Sequence, residues 1–139
     1  MIPFTKLGDL TLLTSGTPAE VGTAVAGTWY DVVTYTITSS NFKKNVVIIA
    51  MPYSHTGTDA AASSLTLNVR IYDNTDSTVL DSGNITSYND QLYLDVAICG
   101  YVGELIKKDH EIKIQVSWAT SGVPNLSTMG VTYAIWTDK

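Results

Sequence analysis

The stretch Glu111-Ile-Lys-Ile-Gln-Val-Ser-Trp118 decides the fold of this chain. Its apolar residues alternate one by one with polar residues, and this period of two is typical of a β-strand with one face in a core and one in water. An amphipathic helix would instead place its apolar residues three or four positions apart. The stretch therefore predicts a half-buried strand with Ile112, Ile114, Val116 and Trp118 facing inward.

The same period recurs on both sides of this strand. Residues 29–38, 65–72, 92–99 and 131–136 each alternate between apolar and more polar side chains. Turn formers such as Asp73-Asn-Thr-Asp76 separate these segments, because Asp and Asn favour tight turns. About eight short strands with turns between them indicate an antiparallel sandwich or barrel. One continuous buried face is predicted for Leu67, Val69, Leu94, Val96, Ile114, Val116 and Trp118.

Two segments depart from the alternation. Asn45-Val-Val-Ile-Ile-Ala-Met51 is almost wholly apolar, which predicts a strand covered on both faces and ended by Pro52. Residues 102–108 are the one helical candidate, with one turn as the upper limit. The predicted fold is all-β: an eight-stranded antiparallel jelly-roll sandwich over residues 29–139, with an immunoglobulin-like sandwich as the alternative. Residues 1–28 are rich in turn formers and predict an N-terminal arm or edge strand.

Composition limits the classes of partner. Charged residues make up only 15%, the net charge is -5, and the isoelectric point is about 4.7. The densest positive pairs are Lys43-Lys44 and Lys107-Lys108. The sequence therefore lacks the basic stripe that would bind nucleic acid or an anionic membrane. No apolar run approaches the roughly 20 residues that span a bilayer, and the N-terminus does not resemble a secretory signal. We expect a soluble chain made in a cytoplasm, without nucleic acid or membrane as partner.

Metal and cofactor chemistry has little support in the sequence. His55 and His110 stand far apart, and no Cys or His lies at a metal-ligand spacing from either. The oxygens of residues 73–76 suit calcium, but these residue types also favour turns for local reasons, and the turn is the favoured interpretation. We therefore expect no metal and no cofactor.

Catalytic groups are equally sparse, and no enzyme activity is expected. Asp95 lies in the middle of a predicted strand, and we expect it to pair with Arg70 or Lys113 on a neighbouring strand. Catalysis by paired carboxylates is the less favoured alternative. Cys99 lies in an apolar strand without a basic partner near it in sequence, which predicts a buried, inert thiol.

Aromatic side chains are the richest resource for binding. Five of them are predicted to lie on strand faces opposite the main apolar set: Tyr30, Tyr72, Tyr93, Tyr101 and Trp136. Outward aromatic residues suit a subunit interface or a sugar-binding platform. A second core face is the alternative, because both sheets of a sandwich carry partly buried tyrosines.

Four segments carry a resemblance to a known group of proteins: Trp29 to Val33, Asn45 to Ala50, the hairpin Val69 to Gly83, and Lys108 to Trp118. In order and pattern they resemble jelly-roll modules of bacteriophage and other viral structural proteins, related in shape to the tumour-necrosis-factor and C1q heads. Such modules often have a glycine in the turn where this chain has Lys108-Asp109-His110. The resemblance implies a trimeric, non-enzymatic component of a virus particle.

The sequence therefore leads to two functional hypotheses from different classes. The favoured one is a virion structural or surface protein (a decoration, spike, capsid or fibre-head subunit) that acts by self-assembly and surface binding. Its expected partners are copies of itself, with a trimer favoured, other virion proteins, and cell-surface glycan as a further candidate. It would be synthesised in a host cytoplasm and located in the virion. The alternative is a carbohydrate-binding module that uses the outward aromatic residues.

Overall fold

The computed structural model of the protein describes residues 10–22, 25–38, 44–56, 64–88, 99–105, 108–120 and 126–138. Within these ranges the chain forms nine strands and no helix, and therefore none that could cross a membrane. In chain order they are β1 (Leu10–Gly16), β2 (Val21–Gly22), β3 (Tyr30–Ile37), β4 (Lys44–Thr56), β5 (Ser64–Asp73), β6 (Thr78–Tyr88), β7 (Cys99–Leu105), β8 (His110–Thr120) and β9 (Leu126–Asp138).

The strands form two antiparallel sheets that pack face to face. Sheet A has the order β1-β9-β4-β7, with the short β2 also paired to β9. Sheet B has the order β3-β8-β5-β6. Among the described strands, only β5 and β6 are both consecutive in sequence and adjacent in a sheet. The predicted all-β, two-sheet sandwich is confirmed.

The core lies between the sheets and consists of the inward residues of alternating strands. Sheet B contributes the alternating residues of β8, with Ile112, Ile114 and Val116 fully buried and Trp118 nearly so. Sheet A contributes Val46, Ile48, Ala50, Cys99, Met129, Val131 and Ile135. The predicted burial of Leu67, Val69, Ile114, Val116 and Trp118 is confirmed, while Leu94 and Val96 lie outside the described residues.

Strand β4 passes through Pro52, so the prediction that Pro52 ends it is wrong. Pro52 pairs with Val131 of β9 on one side. On the other side the described part of β7 pairs with β4 no farther than Ala50. A missing N–H that points to that side breaks no ladder bond. His55, predicted in a loop, lies near the end of this longer strand.

The prediction that β4 is covered on both faces is also wrong. Val46, Ile48 and Ala50 are fully buried, but the alternate residues Val47 and Ile49 are only half-buried, and Met51 farther along is exposed. The inner half faces sheet B, whereas no other described strand covers the outer half. The apolar run therefore serves two different surfaces, one inside the sandwich and one outside.

The helical candidate at residues 102–108 is wrong where the structure describes it. Val102–Leu105 belongs to β7, which pairs with β4 along its full described length. Pairing with a central strand outweighs the weak local helical preference, as tertiary context commonly does.

A β-bulge in β3 changes which residues face the core. The pairing with β8 shifts between Asp31 and Val33, so Val32 is the extra residue. Tyr30 therefore packs against the core, and Asp31 lies on the outer face beside Gln115. Uninterrupted alternation predicts that Tyr30 faces outward and Asp31 faces inward. This prediction is wrong, because the extra residue in the strand exchanges the two faces.

The N-terminal segment contributes the edge of sheet A. β1 pairs with the last part of β9, and Leu10 lies opposite Asp138. Leu13 sits at a register shift in β1 and packs against the core. Gly27 donates its backbone N–H to the carbonyl of Trp118 at 2.9 Å, which ties the approach to β3 onto β8. Residues 1–9 lie outside the described part of the chain.

Candidate functional surfaces

The outer face of sheet B carries a network of charged and polar side chains. Arg70 Nε donates a hydrogen bond to Gln115 Oε1 at 2.7 Å, and Gln115 Nε2 donates to Asp31 Oδ1 at 2.5 Å. Lys113 Nζ donates to the other carboxylate oxygen of Asp31 at 2.7 Å. Burial opposes the ionisation of Asp31, but the bonds from Gln115 and Lys113 outweigh it and lower the pKa of this carboxyl.

Two aromatic rings flank this network. The Arg70 guanidinium carbon lies 4.2 Å from the centroid of the Trp29 ring and 5.1 Å from that of Tyr72. These are cation–π distances. Arg70 thus contacts Gln115, and Lys113 contacts Asp31. The predicted pairing of Asp95 with Arg70 or Lys113 stays a prediction, because Asp95 lies outside the described residues.

The Asp73 carboxylate organises the turn between β5 and β6. Its Oδ1 accepts hydrogen bonds from the backbone N–H groups of Thr75 and Asp76, at 3.0 and 3.2 Å. Its Oδ2 lies 2.7 Å from Nδ1 of His110, the first residue of β8. Because a carboxylate only accepts, Nδ1 of His110 is the donor. Both side chains are buried, so this pair ties the turn to β8 inside the protein.

The backbone of the turn is bonded to β8 as well. Asn74 donates its N–H to the carbonyl of Glu111 at 2.8 Å, and Glu111 donates its N–H to Thr75 Oγ1 at 2.9 Å. Asp76 accepts a bond from Lys108 Nζ. Together with the buried pair, these bonds hold the β5–β6 hairpin against the start of β8.

This turn also brings together three groups of a kind that can bind metal ions. The side-chain ligand atoms of Asp73, Asp76 and His110 lie within 4.8 Å of one another. Each group is already bonded within the chain, Asp73 to His110 and to two backbone N–H groups, and Asp76 to Lys108. The arrangement is built to fix the turn. The sequence pattern indicated only the oxygens of Asp73, Asn74 and Asp76, with Asp81 near them, because His110 is 37 residues away from Asp73.

Asp81 of β6 bridges the edge strands of the two sheets. Its Oδ2 accepts a hydrogen bond from the backbone N–H of Gly100 at 2.9 Å and lies 3.5 Å from Cys99 Sγ, both in β7. Burial, and then the charge of Asp81, raise the pKa of the Cys99 thiol to about 12. The thiol is therefore protonated at neutral pH and donates to Asp81. The predicted burial of Cys99 is confirmed.

The outer face of sheet A is different in character. One row of directly opposed residues crosses four of its five strands: Leu12 of β1, Trp136 of β9, Val47 of β4 and Val102 of β7. Leu12 is 52% exposed and Val102 57% exposed, while the two middle residues are half-buried between them. An apolar row of this kind on a solvent-facing sheet surface departs from the usual polar outer face of an antiparallel sandwich.

The apolar surface continues along β4 and β9. Ile49 lies opposite Ala134, and Met51 lies opposite Thr132. Next to them Tyr53 lies so close over Gly130 that an added Cβ would be 2.6 Å from the tyrosine oxygen. We name this surface the apolar face, and it comprises Leu12, Val47, Ile49, Met51, Tyr53, Val102, Ala134 and Trp136. The Tyr53 hydroxyl is hydrogen-bonded to Glu20, so a carboxylate lies at the margin of this face.

The five predicted aromatic residues do not lie together. Tyr30 and Tyr101 pack against the core. Tyr30 is turned inward by the bulge in β3, and Tyr101 lies opposite the buried Ile48. The prediction that these two face outward is wrong for those reasons. Tyr72 lies on the outer face of sheet B and Trp136 on the apolar face, while Tyr93 is outside the described residues.

Comparison with known proteins gives only distant likenesses. No known protein family matches the chain, and no curated protein matches it. A structure of the Gx strain of infectious bursal disease virus is similar over 92% of this chain and 31% of that chain, with 8% identity and a TM-score of 0.45. The VP2 subviral particle of the same virus is similar over 91% of this chain and 32% of that chain, with 10% identity and a TM-score of 0.48. The chain spans about a third of the length of these neighbours.

Proposed function

We propose that this chain is a structural subunit of a virus particle, a decoration, spike, capsid or fibre-head protein that acts by self-assembly and surface binding, without catalysis. The observation that carries the proposal is the strand order, β1-β9-β4-β7 in one sheet and β3-β8-β5-β6 in the other. We interpret this order as an eight-stranded jelly-roll, with the two-residue β2 as an addition beside β9. Jelly-rolls are common in viral capsid domains and also in lectins.

The connections between strands favour this interpretation over the immunoglobulin-like alternative. An immunoglobulin sandwich has sheets ABED and CFG, which makes three of its consecutive strand pairs neighbours in one sheet. Here only β5 and β6 are such a pair among the described strands, and the chain otherwise changes sheets repeatedly between β3 and β9. The step from this fold to a virion role is an analogy, so its test must measure function directly.

The unequal outer faces support an assembly role. Sheet B presents the charged network of Asp31, Arg70 and Lys113, as expected for a surface in water. Sheet A presents the apolar face, and exposed apolar patches mark interaction sites in many proteins. The proposed partners are other copies of the chain, with a trimer favoured, together with other virion proteins; nucleic acid and membranes are not among them.

A carbohydrate-binding module is the second candidate, and one observation favours it. Trp29 and Tyr72 lie on either flank of Arg70 on the outer face of sheet B, beside the polar groups of Gln115 and Asp31. Sugar-binding sites commonly combine aromatic rings with fixed polar groups beside them. In this protein Arg70 itself lies over the Trp29 ring, which leaves a sugar only the remaining surface of that ring.

Two measurements on the purified protein separate the candidates. The first is the mass by light scattering over a range of concentrations, and we expect three times the chain mass of 15.0 kDa at the upper end. The second is a glycan array. A strict monomer with clear glycan hits, lost in Trp29→Ala and retained in Trp136→Ala, would reject the virion proposal in favour of the carbohydrate-binding module.

A further inference from the structure

We infer that Arg70 and the side chains around it bind a sugar that carries one carboxylate, on the outer face of sheet B. The inference rests on the surface binding in the proposed function and deepens it, because it names the ligand class and the residue that selects it. Its starting point is the pairing of the basic side chains. Lys108 forms an ion pair with Asp76. Lys113 forms one with Asp31. Arg70 forms none within the part of the chain that the structure describes.

The Arg70 guanidinium is held in place by neutral groups. Its Nε donates to Gln115 Oε1 at 2.7 Å, and its central carbon lies 4.2 Å from the centroid of the Trp29 ring and 5.1 Å from that of Tyr72. A guanidinium has five N–H donors, so four remain on the two terminal nitrogens. No described residue accepts a hydrogen bond from them. Arg70 can therefore offer a carboxylate the two parallel N–H bonds that this side chain is shaped to form.

A second layer of bonds fixes this geometry. Gln115 is only 8% exposed, and its Nε2 donates to Asp31 Oδ1 at 2.5 Å, which keeps its Oε1 directed at Arg70. An arginine fixed in this way loses less conformational freedom when a ligand binds. The Asp31 carboxylate would repel an acidic ligand, but it lies two strands away from Arg70, and the bond from Lys113 compensates its charge.

The neighbours of Arg70 along the sheet suit the hydroxyl groups of a sugar. Ser82 of β6 lies directly opposite Arg70, and Asn84 follows it in the next row, opposite Asn68. Ser82 and Asn84 are exposed, and β6 is the edge strand of sheet B, so a ligand can reach both. Hydroxyl and amide side chains both donate and accept hydrogen bonds, as sugar hydroxyls require. The site thus combines one cation, two aromatic rings and neutral polar groups.

Charge and ring coverage select the kind of ligand. The chain carries a net charge of -5, which repels polyanions such as nucleic acid or a run of acidic residues. A neutral sugar would have to stack on the Trp29 ring, part of which Arg70 covers. A sugar with a single carboxylate meets the uncompensated guanidinium and adds only one negative charge.

The test is a titration of the isotope-labelled full chain observed by NMR. Sialyllactose and glucuronic acid are the acidic probes, and lactose and glucose are their neutral counterparts. The Nε–H signal of Arg70 and the indole N–H signal of Trp29 report binding at the site. Arg70→Gln removes its cation. Lys108→Gln removes the same charge from an exposed ion pair outside the site and is the matched control. Circular dichroism with a thermal melt checks the fold of each variant.

We expect an acidic probe to shift both signals saturably and its neutral counterpart to bind at least about tenfold more weakly, because it lacks the charge-assisted bonds. Arg70→Gln should weaken binding of the acidic probe by at least about the same factor. Lys108→Gln should change it by no more than about two- to threefold, because solvent screens a distant surface charge. If Arg70→Gln does not fold, Arg70→Lys takes its place; it keeps the charge but not the paired N–H groups, so a smaller loss is expected.

Three results would overturn the inference. The first is equal binding of acidic and neutral sugars, or no saturable shift with either acidic probe. The second is an equal loss of binding in the two folded variants, which would show that net charge alone is responsible. The third is a capped peptide with one glutamate that binds as tightly as the acidic sugars, because the site would then recognise any carboxylate.

The outcomes also separate this inference from the proposed function. If light scattering shows an oligomer and neither acidic probe binds, the inference fails and the proposed self-assembly stands. If the protein is a strict monomer and binds an acidic probe through Arg70, the site stands and the virion proposal fails.

Discussion

The Asp73 side chain holds together two parts of the fold that are distant in sequence, the β5–β6 turn and the start of β8, through its bond with the buried His110. Truncating Asp73 to Ala removes the acceptor for two backbone N–H groups and leaves His110 buried without this partner. Leaving a buried polar group unsatisfied costs about 1–3 kcal/mol, so we expect Asp73→Ala to lower the free energy of unfolding by about that amount. Urea denaturation measures it.

A matched control lies in the same turn. Asp76→Ala removes an exposed carboxylate that contacts Lys108 at the surface and lies 3.7 Å from Nδ1 of His110, farther than the 2.7 Å of Asp73. Exposed ion pairs contribute little to stability, so this variant should leave the denaturation midpoint nearly unchanged. Equal losses from the two variants would mean that the turn responds to any change of charge and that the buried pair has no special role.

Cys99 gives a prediction in alkaline solution. The folded protein holds the pKa of this thiol at about 12, against an ordinary value of 9.0. As pH rises above about 9, the thiol ionises in the unfolded chain but stays protonated in the folded one, so its contribution to stability is lost as pH rises towards 12. Stability should therefore fall less steeply above pH 9 in Cys99→Ala than in the wild type.

Thermal melts of both proteins between about pH 7 and pH 10 measure this difference, because the other groups that titrate there are common to the two. Parallel curves would show that the thiol is not shielded. The same burial predicts slow alkylation of Cys99 in the native state and rapid alkylation in denaturant. Fast labelling of the native protein would contradict it.

Residue-scale features were only partly visible in the sequence. The burial of Cys99 followed from its apolar neighbours, because a free cysteine in an apolar strand behaves as a small hydrophobe. The pairing of Asp73 with His110 did not follow, since the sequence around each residue indicates only a turn. The pair exists because β5 and β8 are neighbours in sheet B, and strand adjacency is not encoded near either residue.

Among the elements, β8 is the strand that its sequence describes best, and it supports the sharpest core prediction. Ile114 is fully buried between Val33 of β3 and Ile71 of β5. Truncation of a buried Ile to Ala costs about 2–5 kcal/mol through lost burial and the cavity that remains. We expect Ile114→Ala to lose that amount of unfolding free energy in denaturant titration.

Thr36→Ala is the control for this prediction, because Thr36 faces outward from β3 and is exposed. Surface substitutions of this kind usually change stability by no more than about 0.5 kcal/mol. A loss below about 0.5 kcal/mol for Ile114→Ala itself would contradict its place in the core.

The elements also show where alternation misleads. In β3 both halves of the strand alternate correctly, so nothing in the sequence reveals the extra residue at Val32 or its effect on Tyr30 and Asp31. In β4, Pro52 was predicted to end the strand. It is tolerated within the strand because that part of β4 lacks a described partner on one side. Both errors arise from pairing with other strands, which a local pattern does not contain.

At the scale of the whole molecule, the all-β sandwich and the burial of the described core residues could be predicted, but strand order could not. Period-two patterns identify individual strands, whereas the sheet order joins segments far apart, such as Leu10 opposite Asp138. The apolar face was present in the sequence as the run at residues 46–51, interpreted there as two-sided burial. Its outer half became a surface because no described element covers sheet A.

The distribution of charge over the molecule predicts how salt affects assembly. The net charge of -5 makes copies of the chain repel one another at a distance. Raising the salt concentration from about 0.05 M to about 0.5 M screens that repulsion, so self-association should strengthen or stay constant. Sedimentation at both concentrations measures the effect. Weaker association at high salt would point instead to a contact made by the charged network of sheet B.

The position of β9 in sheet A has a consequence for synthesis. β9 is the last described strand in sequence, yet it lies between β1 and β4. A ribosome adds about 5–20 residues per second, so the apolar β4 waits several seconds for this neighbour. Sheet B contains only β3, β5, β6 and β8, and it is fully synthesised once Thr120 has emerged. The nascent chain can therefore complete one sheet early and must hold the other unfinished, with its most hydrophobic strand exposed to chaperones and to neighbouring nascent chains.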